Sequence, residues 1–283
     1  MRLRGGMKMK KSRVLALGTV LSTLLVPNVA MSIPVTDGLV AYYAFDGATT
    51  DGSGNGHDAT ANGGGYTTGY DGTANGAYLF DGNDWLSTSL TLDLPQGTMA
   101  AWINIDQYDT GFNRLNLIFE HWDNMQFGLA DSSAPGDNDG HYMLKLRQGS
   151  GFNYAFGGLA ELNKWVHLAG TWDGTKMRLY VDGVEIAATD APSPPDGSGP
   201  LVIGRHSHND INFWKGAIDE AAIYDRALDS DEIARLARKG QPPTGSVPEP
   251  APLLLLLFGI GLAGIARYKR VSRTQYCQGC YDY

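Results

Sequence analysis

The stretch Trp165-Val166-His167-Leu168-Ala169-Gly170-Thr171-Trp172-Asp173-Gly174-Thr175-Lys176-Met177-Arg178-Leu179-Tyr180-Val181-Asp182-Gly183-Val184-Glu185-Ile186-Ala187 reads as three strands in a meander. Asp173-Gly174-Thr175 is the first turn. Asp182-Gly183 is a two-residue hairpin of the type I′ kind, which needs positive φ at both positions, and Asp and Gly accept that at low cost. The hairpin fixes the register. Met177, Leu179 and Val181 share one face, and Arg178 and Tyr180 the other.

Outward from this meander the same grammar recurs. Leu39 to Phe45 is a compact apolar run closed by Asp46-Gly47, and the glycine-rich Asp51 to His57 that follows suits a long loop. Ala77 to Phe80, the turn Asp81 to Asp84, and Trp85 to Ser87 read as strand, turn and strand. Met99 to Ile105 alternates Met99, Ala101, Ile103 and Ile105 onto one face, which is a core face. Beyond the proline-rich Ala191 to Pro200, the segments Leu201 to Gly204 and Phe213 to Tyr224 supply late strands. Asp229 to Lys239 reads as the domain's helix, with Asp229 as N-cap, Glu232 completing a capping box and Gly240 at its C-terminal end. The 37 glycines in 283 residues are roughly twice the average share of about 7%. Short strands and tight turns follow, and the fold class is all-β, with one sandwich over residues 33–240.

The two ends carry addresses. Arg2, Arg4, Lys8, Lys10, Lys11 and Arg13 precede the apolar run Val14 to Val26, which reads as a secretory signal over residues 1–32, cleaved after Ser32 or after Ala30. Met1 and Met7 both serve as possible starts. After a linker at 241–246, Val247-Pro248-Glu249-Pro250 leads into the apolar Leu253 to Ala266 and then Arg267, Lys269 and Arg270. Residues 247–270 resemble the PEP-CTERM sorting signal of exported bacterial proteins. That resemblance implies signal peptidase and an exosortase-type enzyme as processing partners, a transmembrane anchor helix, and retention in the cell envelope, at the cell surface or in the extracellular matrix. A tail, 271–283, continues on the cytoplasmic side, past the point where that family usually stops. Its Cys277 and Cys280 are half of a metal knuckle, a redox pair or an incidental extension; one pair falls short of the four ligands zinc needs.

Residues 33–247 hold 12 Lys plus Arg against 28 Asp plus Glu, a balance of minus 16. That acidity argues against a nucleic-acid partner, which needs a basic face, and suits cations or neutral ligands. The run Leu39 to Gly47, Thr171-Trp172-Asp173-Gly174, Leu179-Tyr180-Val181-Asp182-Gly183 and Phe213-Trp214-Lys215-Gly216-Ala217-Ile218-Asp219-Glu220 is similar to the laminin-G-like, concanavalin-A-like superfamily. The resemblance implies a jelly roll of two antiparallel sheets, with the first and last strands close together. It also implies a calcium ion held by Asp46 and Asp219, with Asp81 and Asn83 as further ligands; as a plain reading of the residues, these are turn-forming Asx positions.

For a glycan ligand, rings beside polar loops are the candidates: Trp85, Tyr108, Trp122 and Trp214. Trp102, Trp165 and Trp172 sit in strands and read as interior. His206 and His208 could begin a zinc site, although Ser207, Asn209 and Asp210 read as a loop. Glycoside hydrolysis needs two carboxylates in one cleft. Asp219 and Glu220, as neighbours on a strand, should face opposite ways. The sequence therefore points to a non-catalytic module binding glycan or exopolysaccharide with calcium, with a protein-binding adhesion or biofilm matrix protein and then a glycoside hydrolase as alternatives.

Overall fold

The computed structural model describes residues 35–107, 114–121, 124–136, 138–191 and 199–238. The signal, linker, sorting segment and tail lie outside the described residues, as do Tyr108, Trp122 and the Cys277–Cys280 pair. The strands in chain order are β1 (Leu39–Tyr43), β2 (Ala59–Asn62), β3 (Gly65–Thr67), β4 (Ala77–Asp81), β5 (Trp85–Thr91), β6 (Gly97–Ile105), β7 (Asn116–His121) and β8 (Met125–Leu129). Then come β9 (His141–Gln148), β10 (Gly151–Leu159), β11 (Trp165–Trp172), β12 (Lys176–Val181), β13 (Val184–Asp190), β14 (Pro200–Ile203), β15 (Lys215–Tyr224) and helix α1 (Ser230–Leu236).

They form two antiparallel sheets packed as a jelly-roll sandwich. One sheet has eight strands in the order β13-β12-β11-β6-β15-β4-β3, with β1 also paired to β15; the other has seven, in the order β10-β9-β8-β7-β14-β5-β2. The expected meander is β11-β12-β13, and its hairpin has φ of 50° at Asp182 and 83° at Gly183. The first and last strands meet, with Tyr43 opposite Ala221 and Tyr42 opposite Ala222.

Between the sheets lies a core that includes Tyr43, Phe45, Phe80, Met99, Ile103, Phe119, Phe127, Leu144, Trp172, Leu179 and Ile218. Trp102 is buried, as read, on the outer side of the eight-stranded sheet under Tyr70, whereas Trp165 corrects the sequence reading and is only half-buried. Helix α1 packs Ile233 and Leu236 on that same outer side, against Tyr42, Ala100, Ala169, Tyr180 and Leu228. Its capping box forms as expected, with Glu232 N–H donating to Asp229 Oδ1 at 2.8 Å and Asp229 N–H to Glu232 Oε2 at 3.0 Å. The described helix is shorter than predicted, ending at Ala237 as C-cap.

Trp214 is also a correction. Its side chain is 0% exposed and belongs to the core between the sheets, so no ligand reaches its ring. The polar neighbours that suggested a loop surround a chain that turns inward, with Trp214 N–H donating to Gly204 O at 2.8 Å. Trp214→Ala should cost about 3–5 kcal/mol, as removal of a large buried ring does, and urea unfolding reads it; a loss below about 1 kcal/mol, the range of surface substitutions, would remove Trp214 from the core.

Candidate functional site

Strand β15 has one edge shared by two neighbours. Lys215 to Ile218 pair with β4, and Ala221 to Tyr224 pair with β1. At the hand-over the ladder to β6 slips between Asp219 and Ala222, and Glu220 takes φ of 50°. This bulge corrects the expected alternation. Ile218 and Ala221 both point into the core, whereas Asp219 and Glu220 both face outward.

The segments leaving β1 and entering β4 converge on the same point. Gly47 N–H donates to Asn75 O at 2.9 Å, and Phe45 and Asn75 have φ of 56° and 58°. Three left-handed non-glycine residues around one point are costly, about 1–3 kcal/mol each, and such strain gathers where ligands are clamped. Asp219 Oδ2 accepts the Tyr70 N–H at 3.1 Å, and the Tyr42 hydroxyl donates to Glu220 Oε2 at 2.5 Å. Burial pushes the Asp219 carboxyl up to about 7; the Tyr70 and Glu220 N–H groups oppose this, and Asp46 and Asp71 add to it. Burial likewise raises Glu220 to about 8, with the Tyr42 hydroxyl pulling it down and Asp219, Asp46 and Asp71 pushing it up. Asp46 is raised too, by desolvation and then by Asp71.

Of the predicted metal ligands, Asp46 and Asp219 lie near enough to feel each other's charge, as do Asp71 and Glu220, although no three of these carboxylates have oxygens within 4.8 Å of one another. The structure separates Asp81 and Asn83 from them. Asp81 pairs with Lys215, four residues from Asp219 along β15 and so about 13 Å away at ~3.3 Å per residue. Asp81 Oδ1 accepts the Asn83 N–H at 3.2 Å, and Asp84 Oδ2 accepts the Asp81 N–H at 2.8 Å, a closed Asx turn.

A second polar region lies on the outer face of the seven-stranded sheet. Tyr154, Lys145, Gln126, Glu120, Val202 and Ser87 form one cross-strand row from β10 to β5. Lys145 Nζ donates to Gln126 Oε1 at 2.7 Å and stands 4.1 Å from the Phe152 ring centroid, while Tyr154 and Phe156 stack at 5.1 Å. Gln126, Asp131, Lys145, Tyr154, His206 and Asn212 line a cavity of about 300 Å³. Asn212 also lines a cavity of about 580 Å³ bounded by Arg114, Asp210 and Lys215. Asn212 Oδ1 is buried and finds no hydrogen-bond partner in the protein. Trp85, a predicted ligand contact, is half-buried at the same sheet, with the Arg205 guanidinium 3.8 Å from its ring centroid. No periodicity announced this face, although Glu120 and Gln126, polar residues inside the apolar strands β7 and β8, were the available signal.

A profile described as the concanavalin A-like lectin/glucanases superfamily matches residues 80–234, more than half of the chain. The chain belongs to that superfamily. A second profile, the PEP-CTERM protein-sorting motif, matches residues 246–270 and marks the chain for export and membrane-associated sorting. Among superfamily-like solved structures, domain 4 of AbnA, a GH43 extracellular arabinanase from Geobacillus stearothermophilus in complex with arabinotriose, is 23% identical with a TM-score of 0.55, over 71% of this chain and 98% of that one. The binding domain of Paraclostridial Mosquitocidal Protein 1 is 17% identical with a TM-score of 0.58, over 72% of this chain and 52% of its own length. The binding domain of botulinum neurotoxin DC in complex with SialylT is 14% identical with a TM-score of 0.53, over 72% of this chain and 52% of that one. The superfamily domain thus spans about half the length of the two toxin domains, and these likenesses carry the fold alone. No curated protein sequence matches the chain.

Asp219 and Glu220 hold their protons more tightly in the folded superfamily domain than at their ordinary values of 3.8 and 4.5. These two carboxyls therefore contribute stability that is lost as pH rises toward 8; below about pH 6.5 the buried His167, lowered to about 3 by burial, works the other way, so the fall is expected between about pH 6.5 and pH 8. Thermal melts in chelator should show that fall, and Asp219→Asn should flatten it; a melting temperature constant across the window would contradict the clustered burial.

Proposed function

We propose that the exported domain is a non-catalytic recognition module that binds glycan on the outer face of the seven-stranded sheet and holds a calcium ion at the β15 hand-over. The observation that carries the reading is the polar cavity beside Tyr154. Glu120, Gln126 and Asp131 are buried on a sheet face that burial alone would fill with apolar side chains. A half-buried aromatic pair next to amide, ammonium and imidazole groups, with the unpartnered Asn212 Oδ1, suits a sugar's apolar face and its hydroxyls. The likeness to domains named as complexes with arabinotriose and SialylT supports the same ligand class.

Binding is favoured over hydrolysis by the state of the acids. Asp131 accepts the Ser133 N–H at 2.9 Å and the Arg114 N–H at 2.5 Å, and Glu120 Oε2 accepts the Ser207 N–H at 2.9 Å. Asp219 and Glu220, two carboxyls that hold their protons more tightly than usual, stand on the other sheet, away from this cavity.

At the hand-over, Asp46, Asp71 and Asp219 would draw together around a calcium ion, since their oxygens do not yet lie within 4.8 Å of one another, with Tyr42 fixing Glu220 nearby. Mutually repelling, oxygen-only groups fit a hard cation, which takes six to eight oxygens at about 2.3–2.6 Å. The ion would offset the burial that raises Asp219 and Asp46, and the lesser repulsion from neighbouring carboxylates. The PEP-CTERM segment supports processing by an exosortase-type enzyme and retention at the cell surface or in the matrix. Protein adhesion is the second reading, favoured by the exposed Leu159, Leu162, Val184 and Ile186 near the β10 and β13 edges.

Glycan-array binding by the full chain in detergent, in calcium and again in chelator, tests the reading. We expect a bound glycan whose affinity falls about tenfold in Tyr154→Ala, near 1.4 kcal/mol, and weakens in chelator. Absence of any bound glycan, or binding indifferent to both Tyr154→Ala and Asn212→Ala, would reject the cavity and turn attention to the apolar edge.

A further inference from the structure

Three side chains meet beside the smaller cavity. Glu120 comes from β7, and His206 and His208 from the loop after β14. Among the described residues they form the one group of His, Cys, Asp or Glu whose donor atoms all lie within 4.8 Å of one another. We propose that Glu120, His206 and His208 form a zinc site with an open coordination position.

Two imidazole nitrogens and one carboxylate oxygen are a ligand set that zinc takes when it keeps its fourth position open, and imidazole donors disfavour calcium or magnesium. Zinc bonds of about 2.0–2.2 Å put tetrahedral donors about 3.3 Å apart. His206 Nε2 and Glu120 Oε1 are 3.9 Å apart, so little closing is needed. The rings of His206 and His208 lie 5.8 Å apart, and His208 is exposed, so it can rotate inward.

The supporting contacts are in place. Ser207 N–H donates to Glu120 Oε2 at 2.9 Å, and Ser207 Oγ lies 2.9 Å from His208 Nδ1. Ser207 thereby contacts two of the three candidate ligands, as outer partners of metal sites do. The loop itself is pinned at both ends, by Trp214 N–H to Gly204 O at 2.8 Å and His206 N–H to Ile211 O at 3.2 Å. His208 N–H donates to His206 Nδ1 at 3.2 Å. Zinc at Nε2 requires the proton on Nδ1, so this long bond opens when the metal enters. Glu120 is fully buried and His206 nearly so, and a cation compensates that buried carboxylate. Because His206 also lines the cavity, the metal stands at its rim.

Zinc titration of the full chain in detergent, with Cys277→Ser and Cys280→Ser removing the other candidate ligands and calcium present to fill the carboxylate cluster, reads the site without any glycan. We expect one zinc per chain, and cobalt in its place should give a visible d–d band. His208→Ala, at an exposed position that leaves the fold intact, should weaken zinc binding at least about tenfold, the loss typical when a site loses a ligand or its support; Glu120→Gln should do the same. No binding at about 100 µM zinc, a concentration that saturates sites of far weaker affinity than a three-ligand zinc site, or binding unchanged in His208→Ala, would overturn the proposal.

Discussion

Strand β15 must serve three partners with two edges. β6 occupies one edge, and β4 and β1 divide the other between them. Neither β4 nor β1 can run on past the other, so the ladder has to break where they meet. The break falls at Asp219–Glu220, and the bulge there sets two carboxylates side by side on the outer face. Around that point the chain accepts left-handed conformations at Phe45 and Asn75, which the pairing on either side enforces. Strand connectivity thus dictates both the location of the carboxylate group and its assembly from three separate parts of the sequence.

The other sheet solves a different problem. Its inner face is given wholly to the core, through Phe119, Phe127, Leu144 and Ile203. Part of its outer face is buried too, beside the segments around Asp131 and around His206 to Asn212, but by polar groups. Burying such groups costs stability unless each finds partners. Lys145 with Gln126, Ser207 with Glu120, and Ser133 with Asp131 supply many of them. The cavity is where the partnering runs short, at Asn212 Oδ1.

The fold was largely legible because its signals are local. The Asp182-Gly183 turn, the period-two alternation of Met177 and Leu179, and the Asp229–Glu232 capping box each depend on a few adjacent residues. The candidate sites were less legible because they depend on distant pairings. Asp219 and Glu220 share a face only because β1 and β4 abut, which no reading of Ala217 to Ala221 reveals. Trp214 has polar neighbours in sequence and apolar neighbours in space. The likeness to the superfamily indicated Asp46 and Asp219 together, whereas Asp81 is carried off by its register with Lys215. His206 and His208 gain a third partner, Glu120, from a strand more than eighty residues earlier in the chain.

The closing pair of strands also constrains how the protein is made. Tyr43 and Ala221 are neighbours in space although 178 residues apart in sequence, and contacts of such range form late and slowly. The eight-stranded sheet cannot be completed until β15 is free, and β15 lies just ahead of the sorting motif at 246–270. A chain threaded across a membrane from its N-terminus would therefore remain open, and passable through a narrow translocation channel, until nearly all of the domain had crossed. Topology alone would keep folding and export from competing.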